Sequence, residues 1–258
     1  SESFNINKVA VLGSGVMGAQ IAAHLTNAKI PVLCFDINQD IANKGVLSST
    51  KIKPSAYYNP KTVELITACN YDDHLERILE CDWIIEVIAE RLDWKQGLYE
   101  KIEPYIKDGA IITSNTSGIS ASDLTSKMND EMASRFFITH FFNPPRYMKL
   151  VEIIPSERTN ISIISPMASF LEESLGKGVV YAKDTPNFIA NRIGVYGMMV
   201  TLNEARNKKI SIENVDSLTG TLIGRPKSAT FRTADVVGLD TMCFVSNTAY
   251  EKCVNDTE

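Results

Sequence analysis

The segment Gly13-Ser14-Gly15-Val16-Met17-Gly18 constrains this chain more than any other stretch. It is a complete G-x-G-x-x-G. A short apolar, β-branched run at 8–12 precedes it, and residues 17–28 follow with helical spacing of small and apolar side chains. In such a strand–turn–helix, Gly13 permits the tight turn, Gly15 lets a pyrophosphate approach the backbone, and Gly18 lets helix and strand pack closely. Val16 and Met17 open the helix, whose unpaired N–H groups and positive dipole end face the phosphates. Asp36 lies 18 residues beyond Gly18, at the end of a second strand candidate at 31–35. An acid there hydrogen-bonds a ribose 2′-hydroxyl and repels a 2′-phosphate; Ile37 and Asn38 offer no arginine, so the pattern predicts NAD rather than NADP. The alternative, a glycine-rich turn in some other α/β fold, does not explain why strand, helix and acid are all in place.

Further strand candidates lie at 83–88, 110–113, 136–140, 150–154 and 179–182, and helix candidates at 92–106 and 165–175. Alternation of this kind predicts an α/β fold with a mainly parallel, doubly wound Rossmann-type sheet. The texture changes at Lys183-Asp184-Thr185-Pro186, where a hydroxyl N-cap followed by proline reads as a helix start. Residues 1–183 therefore read as the NAD-binding domain and 184–258 as part of a helical second domain. In that domain a helix at 239–253 would place Leu239, Met242, Cys243, Ala249, Tyr250 and Cys253 on one apolar face.

With 258 residues, one large or two small domains fit. The net charge of -5 argues against a nucleic-acid binder, yet leaves an anionic small ligand open. No apolar run approaches the ~18 residues of a membrane span. The 5 cysteines are odd in number and form no CxxC. They read as free thiols of a reducing, cytoplasmic compartment, with no metal site.

Of 3 histidines, His24 falls in the first helix and His74 in a charged stretch; both read as structural or solvated. His140 ends a strand run and meets Phe141-Phe142-Asn143-Pro144-Pro145, a proline-stiffened loop of the kind that borders α/β sites. Glu152 interrupts the apolar run Leu150-Val151-Glu152-Ile153-Ile154, and a carboxylate inside a buried strand is costly unless paired. Pairing it with His140 would fix the imidazole tautomer and stabilise the imidazolium, making a general base suited to alcohol oxidation. A core histidine bonded to a backbone carbonyl, with Glu152 facing solvent, fits the pattern equally well.

Ser114-Asn115-Thr116-Ser117, His140-Phe141-Phe142-Asn143-Pro144, Met148-Lys149-Leu150-Val151-Glu152, Lys183-Asp184-Thr185-Pro186 and Asn191-Arg192 resemble, in order, the signature blocks of L-3-hydroxyacyl-CoA dehydrogenases. The resemblance covers almost the whole chain. Gly118-Ile119-Ser120, Asn143-Pro144-Pro145-Arg146-Tyr147 and the stretch from Gly224 to Arg232 are most similar to long bacterial fatty-acid oxidation proteins, in which the dehydrogenase precedes an enoyl-CoA hydratase-like region. The resemblance implies an acyl-CoA substrate, His140 as catalytic base and Glu152 as its orienting partner. It implies that Ser117 and Asn191 hold the reacting oxygen, that Asn115 and Asn143 lie near the nicotinamide, and that Glu90 and Lys95 contact the cofactor. Read without it, Ser117 is a turn residue, Asn191 a polar helix face, and Glu90 with Lys95 a solvated helix start.

Two departures stand out. The segment between Asp36 and Glu90 is shorter than in relatives, where it forms an arm toward coenzyme A. The chain also stops at Glu258, where relatives continue with helices that build a homodimer, so the helical domain reads as incomplete. Other β-hydroxyacid dehydrogenases share the glycine fingerprint, but they rely on a lysine base where this chain has Asn187 and Asn191. A catalytically silent NAD-binding relative is the remaining alternative, opposed by the intact set Ser117, His140, Glu152 and Asn191.

Overall fold

In the computed structural model, which describes residues 5–253, the apolar runs become strands, most of them buried on both faces and the last, at 178–181, largely exposed. β1 (Val9–Leu12), β2 (Val32–Asp36), β3 (Ile66–Asn70), β4 (Trp83–Glu86), β5 (Ile111–Ser114), β6 (Phe136–Phe141), β7 (Leu150–Pro155) and β8 (Gly178–Tyr181) form one 8-stranded sheet. Their order is β3-β2-β1-β4-β5-β6-β7-β8. Pairing is parallel from β3 through β6, antiparallel between β6 and β7, and parallel again between β7 and β8. Strands such as β1 and β4 are buried along their whole length, as parallel strands covered by helices on both faces must be.

The helices of this part are α1 (Val16–Asn27), α2 (Gln39–Ser49), α3 (Leu92–Ile102), α4 (Ala121–Thr125), α5 (Asp130–Ser134) and α6 (Ile164–Leu175). Ile21 and Leu25 of α1 and Met167 and Leu171 of α6 pack with Val9, Val11, Trp83 and Ile85 in the main apolar core. Each such side chain contributes about 1.5–3 kcal/mol by leaving water. The chain runs outward from β1 to β2 and β3, then returns to lay β4 on the other flank of β1. That reversal opens a crevice at the carboxyl ends of β1 and β4, where ligands of open α/β sheets bind.

Four elements of the sheet-bearing unit escaped the sequence reading: β3, α2 and the five-residue helices α4 and α5. β3 is a short, partly exposed edge strand interrupted by Thr67 and ended by Asn70, and α2 buries only Ala42 and Ser49, so neither advertises itself by hydrophobic period. Two other elements are shorter than expected: β4 stops at Glu86 and α3 at Ile102, just before Pro104.

The chain divides into two compact units, Ser1–Asp184 and Thr185–Glu258. The second contains α7 (Ala190–Asn207), α8 (Ile212–Thr219), α9 (Phe231–Val237) and α10 (Leu239–Lys252). No helix starts at Thr185-Pro186. Asn187 and Phe188 adopt left-handed φ values of 60° and 52°, which interrupt a right-handed helix, and α7 begins only at Ala190. The buried Asn187 amide fixes this turn by donating to the Val245 carbonyl (3.0 Å). On α10 the apolar face is largely exposed, with Leu239 at 62% and Tyr250 at 87%, while Val245 is buried. Among the described residues no helix is long and apolar enough to cross a membrane.

Candidate active site

The glycine turn after β1 takes the form its composition demands. Gly13 has φ 113°, and a Cβ there would lie 2.6 Å from the Val87 carbonyl oxygen. A Cβ on Gly18 would sit 1.8 Å from the Gly13 oxygen, so α1 and the turn approach as only glycine allows. At Gly15, by contrast, a Cβ would meet nothing within 4 Å. The backbone is therefore open on the side where a pyrophosphate would rest, and Val16 at the first turn of α1 is 67% exposed. This cradle fits NAD.

Asp36 ends β2 beside that turn. Its Oδ2 accepts from the N–H (2.8 Å) and hydroxyl (2.6 Å) of Ser14, and its Oδ1 accepts from the Ile37 N–H (2.8 Å). The carboxylate is thus held at the end of β2 and braces the glycine turn. Behind both lies α2, started by the Asn38 side chain accepting from the Ile41 N–H (2.9 Å). Gly45 of α2 packs so closely on Ser14 that an added Cβ would meet its oxygen at 2.4 Å. Ser14 and Gly45 were not singled out from the sequence, because neither residue type is distinctive away from its partner.

His140 and Glu152 face each other across the antiparallel pair β6–β7, in direct register. His140 Nδ1 lies 2.7 Å from Glu152 Oε2, with His140 5% exposed and Glu152 0%. Phe142 packs against the imidazole, ring centroids 4.4 Å apart. Of the two arrangements the sequence left open, Glu152 facing solvent is not the one the structure adopts. The carboxylate holds Nδ1 and so fixes the orientation of the imidazole.

Neighbouring strand ends carry the other candidates. Asn115 follows β5, and its Oδ1 accepts from the Phe141 N–H (2.9 Å), tying the two strand ends together. Asn143 Oδ1 accepts from Gln20 Nε2 of α1 (3.1 Å), linking the loop after His140 to the dinucleotide helix. Ser117 is half-buried on the loop after β5. Glu90 lies on the loop after β4; its Oε1 accepts from Thr116 Oγ1 and from the Ile119 N–H (3.3 Å). Lys95 reaches the same edge from α3, but it is 1% exposed, its ammonium bonded to Glu86 (2.6 Å) and the Ile88 carbonyl (3.3 Å) and 3.8 Å from Glu90. Asn191 lies in the first turn of α7, in the second unit, where it is half-buried.

Two buried charged groups were overlooked. Lys177 donates to the carbonyls of Pro145 and Met148 (the latter 2.9 Å) and so anchors the loop that joins β6 to β7. Burial lowers its pKa to about 8. Glu86 interrupts the run Trp83-Ile84-Ile85-Glu86-Val87-Ile88 just as Glu152 interrupts its own, and the same reasoning from an unpaired buried carboxylate would have found it.

Two family models match the chain: the NAD binding domain of 3-hydroxyacyl-CoA dehydrogenase over residues 8–185 and the C-terminal domain of the same enzymes over 188–257. A probable 3-hydroxyacyl-CoA dehydrogenase of Bacillus subtilis is 46% identical over 98% of this chain and 35% of its own length. A putative fatty acid oxidation complex trifunctional enzyme of Rickettsia felis is 41% identical over 94% of this chain and 35% of its own. The chain thus spans about a third of the length of these two relatives. Among solved structures, (S)-3-hydroxybutyryl-CoA dehydrogenase from Ralstonia eutropha superposes with a TM-score of 0.82 at 26% identity, covering 96% of this chain and 88% of that one.

Proposed function

The chain belongs to the 3-hydroxyacyl-CoA dehydrogenase family, and from that membership we propose that it oxidises an L-3-hydroxyacyl-CoA to the 3-ketoacyl-CoA, with His140 as general base oriented by Glu152. The observation that carries this reading is the buried His140–Glu152 pair, 2.7 Å apart at the strand ends beside the dinucleotide crevice. NAD, when bound on the Gly13–Gly18 turn, supplies the hydride acceptor.

His140 Nε2 takes the hydroxyl proton while Glu152 stabilises the resulting imidazolium. In the reverse direction the same nitrogen returns the proton to the carbonyl oxygen. Ser117 is assigned to hold that oxygen through its hydroxyl, a donor aimed at developing charge. The same task for Asn191 rests on the family resemblance alone. Asn115, Asn143, Glu90 and Lys95 form the protein side of the nicotinamide end, with Lys95 acting from beneath the surface. The reaction belongs to fatty-acid β-oxidation, the context named for the Rickettsia relative; an enoyl-CoA hydratase-like region in the same polypeptide rests on the sequence resemblance alone. A homodimer through the helical unit would cover Ile193, Tyr196 and Val200, which project from α7 at 67%, 54% and 43% exposure. A cytoplasmic setting suits the buried thiols of Cys34, Cys69 and Cys81.

The test is NADH consumption with acetoacetyl-CoA. His140→Gln should lower turnover by about 10²–10⁴-fold, the usual worth of a general acid–base group, while NADH affinity stays near that of the parent. Full turnover in this variant would overturn the assignment.

A further inference from the structure

Glu86 is the last residue of β4 and 0% exposed. Its carboxylate accepts four hydrogen bonds. Oε1 takes Lys95 Nζ (2.6 Å) and the Ile88 N–H (2.7 Å), and Oε2 takes the Tyr99 hydroxyl (2.9 Å) and Ser114 Oγ (2.5 Å). Ser114 Oγ in turn accepts the N–H of Thr116 (3.1 Å), Thr116 Oγ1 donates to Glu90, and Glu90 lies 3.8 Å from Lys95 Nζ. Glu86, Ser114, Thr116, Glu90 and Lys95 therefore close a ring around the base of the loop 114–119. The residue that follows Thr116 in that loop is Ser117.

The ring has a direction. Its buried end is the Glu86–Lys95 ion pair, side chains 0% and 1% exposed; its other end is Glu90, whose side chain is 29% exposed at the mouth of the crevice. A pair that served only to fill the core would be replaceable by apolar side chains of similar volume. This one instead sends one bond into the loop after β4, through Ile88, and another into the loop after β5, through Ser114. The Tyr99 hydroxyl, whose pKa burial pushes well up, completes the set as a neutral donor.

We infer that Glu86 is a positioning residue, which fixes the Ser117 loop and the Lys95–Glu90 edge in the geometry the reaction uses. The inference rests on the dehydrogenase reading above. Glu86 touches neither substrate nor cofactor in this scheme; it acts through Ser114, Ile88 and Lys95. Small misplacement of a reacting group is expensive, on the order of 10²-fold for about 1 Å, so a buried carboxylate that holds both strand-end loops should be felt in turnover.

The experiment compares Glu86→Gln with Trp83→Phe. The control lies on the same strand and removes another buried hydrogen bond, Trp83 Nε1 to Thr113 Oγ1 (2.9 Å). Three quantities are read: amide hydrogen exchange of residues 114–119 without ligand, NADH affinity, and kcat and KM with acetoacetyl-CoA. Glu86→Gln should speed exchange in that loop and weaken NADH binding, each about tenfold or more, and should lower kcat by about tenfold or more. Trp83→Phe should lower Tm and leave all three near wild type. If Glu86→Gln behaves like Trp83→Phe, the carboxylate is only structural and the inference is overturned. Should Glu86→Gln fail to fold, Ser114→Ala cuts a single arm of the ring and meets the same criteria. Inactivity of the wild-type chain on acetoacetyl-CoA would sink the dehydrogenase reading, while exchange and NADH affinity would still decide the role of Glu86 in the loop.

Discussion

Glu152→Gln separates charge from shape at the centre of the proposed site. Glu152 is 0% exposed, and its Oε2 lies 2.7 Å from His140 Nδ1. Glutamine has nearly the same volume, and its carbonyl oxygen can still accept from Nδ1–H, so the imidazole keeps its tautomer and place. What disappears is the negative charge that opposes the imidazolium formed when His140 takes the proton. Two unit charges about 4 Å apart, at an effective dielectric near 20, attract by about 4 kcal/mol. At 1.36 kcal/mol per decade this corresponds to a loss of about 10³ in kcat. Affinity for NADH should stay near wild type, because Glu152 is not part of the dinucleotide cradle. Steady-state turnover with acetoacetyl-CoA, NADH titration and thermal melts on the same preparations supply the readouts. The double variant His140→Gln/Glu152→Gln adds a stricter condition: once the base is gone its partner has nothing to stabilise, so the double should lose little more than His140→Gln alone. An unchanged kcat with a lowered Tm, or fully additive losses in the double, would refute the coupling and leave Glu152 a structural acid.

Asp36→Ala should weaken NAD binding by about 1–3 kcal/mol, the worth of hydrogen bonds to a charged group, and should narrow the NAD/NADP preference; an unchanged ratio by calorimetry would mean that another group reads the ribose. Gly45→Ala should strain the contact of α2 with Ser14 by about 1–3 kcal/mol, as overpacking does, and weaken NADH binding although Gly45 lies behind the cradle; normal affinity would show that α2 yields without moving the turn. His24 gives a pH signature. Burial, and then the charge of Lys177, lower its pKa to about 4, so between 6.5 and 4 the unfolded chain binds the proton first. Stability should be complete above about pH 6.5 and fall by about 3 kcal/mol as pH drops toward 4. Urea denaturation of His24→Gln should show a smaller loss over that interval, and an identical loss would remove His24 from the cause.

What could be read in the sequence was what carries its partner or its periodicity with it. The glycine turn and Asp36 belong to one strand–helix–strand unit, so spacing alone locates them. His140 and Glu152 betrayed themselves as polar residues inside apolar runs. Glu86 carries the same signal, but its partners Lys95, Tyr99 and Ser114 lie on other elements and none is marked by its own apolar run. Ser14, Gln20 and Lys177 were not legible: each matters through a residue between 22 and 123 positions away, Asp36 for Ser14, Asn143 for Gln20, and the Pro145 carbonyl for Lys177. The second unit was the least legible. A proline after a threonine looks like a helix start, but two left-handed residues override it, and a tertiary hydrogen bond from Asn187 holds them there.

The antiparallel turn between β6 and β7 is what brings His140 and Glu152 together. Parallel strands need a crossover of a dozen or more residues, usually a helix, between one carboxyl end and the next. The chain has only residues 142–149 between these two strands, and reversal of direction lets so short a connection return directly alongside. His140, near the carboxyl end of β6, therefore meets Glu152, near the amino end of β7, at the same edge where β1, β4 and β5 finish. Register is decisive, because a slip of one residue would turn Glu152 to the opposite face of the sheet and leave Val151 or Ile153 against the imidazole. The connection is pinned accordingly. Lys177 holds its carbonyls, Gln20 holds Asn143, and Arg146 donates to the carbonyls of Ser55 (2.7 Å) and Tyr57 (2.8 Å) on the segment between α2 and β3. The His140–Glu152 pair thus depends on a loop whose anchors come from α1, from Lys177 just before β8 and from the segment between α2 and β3.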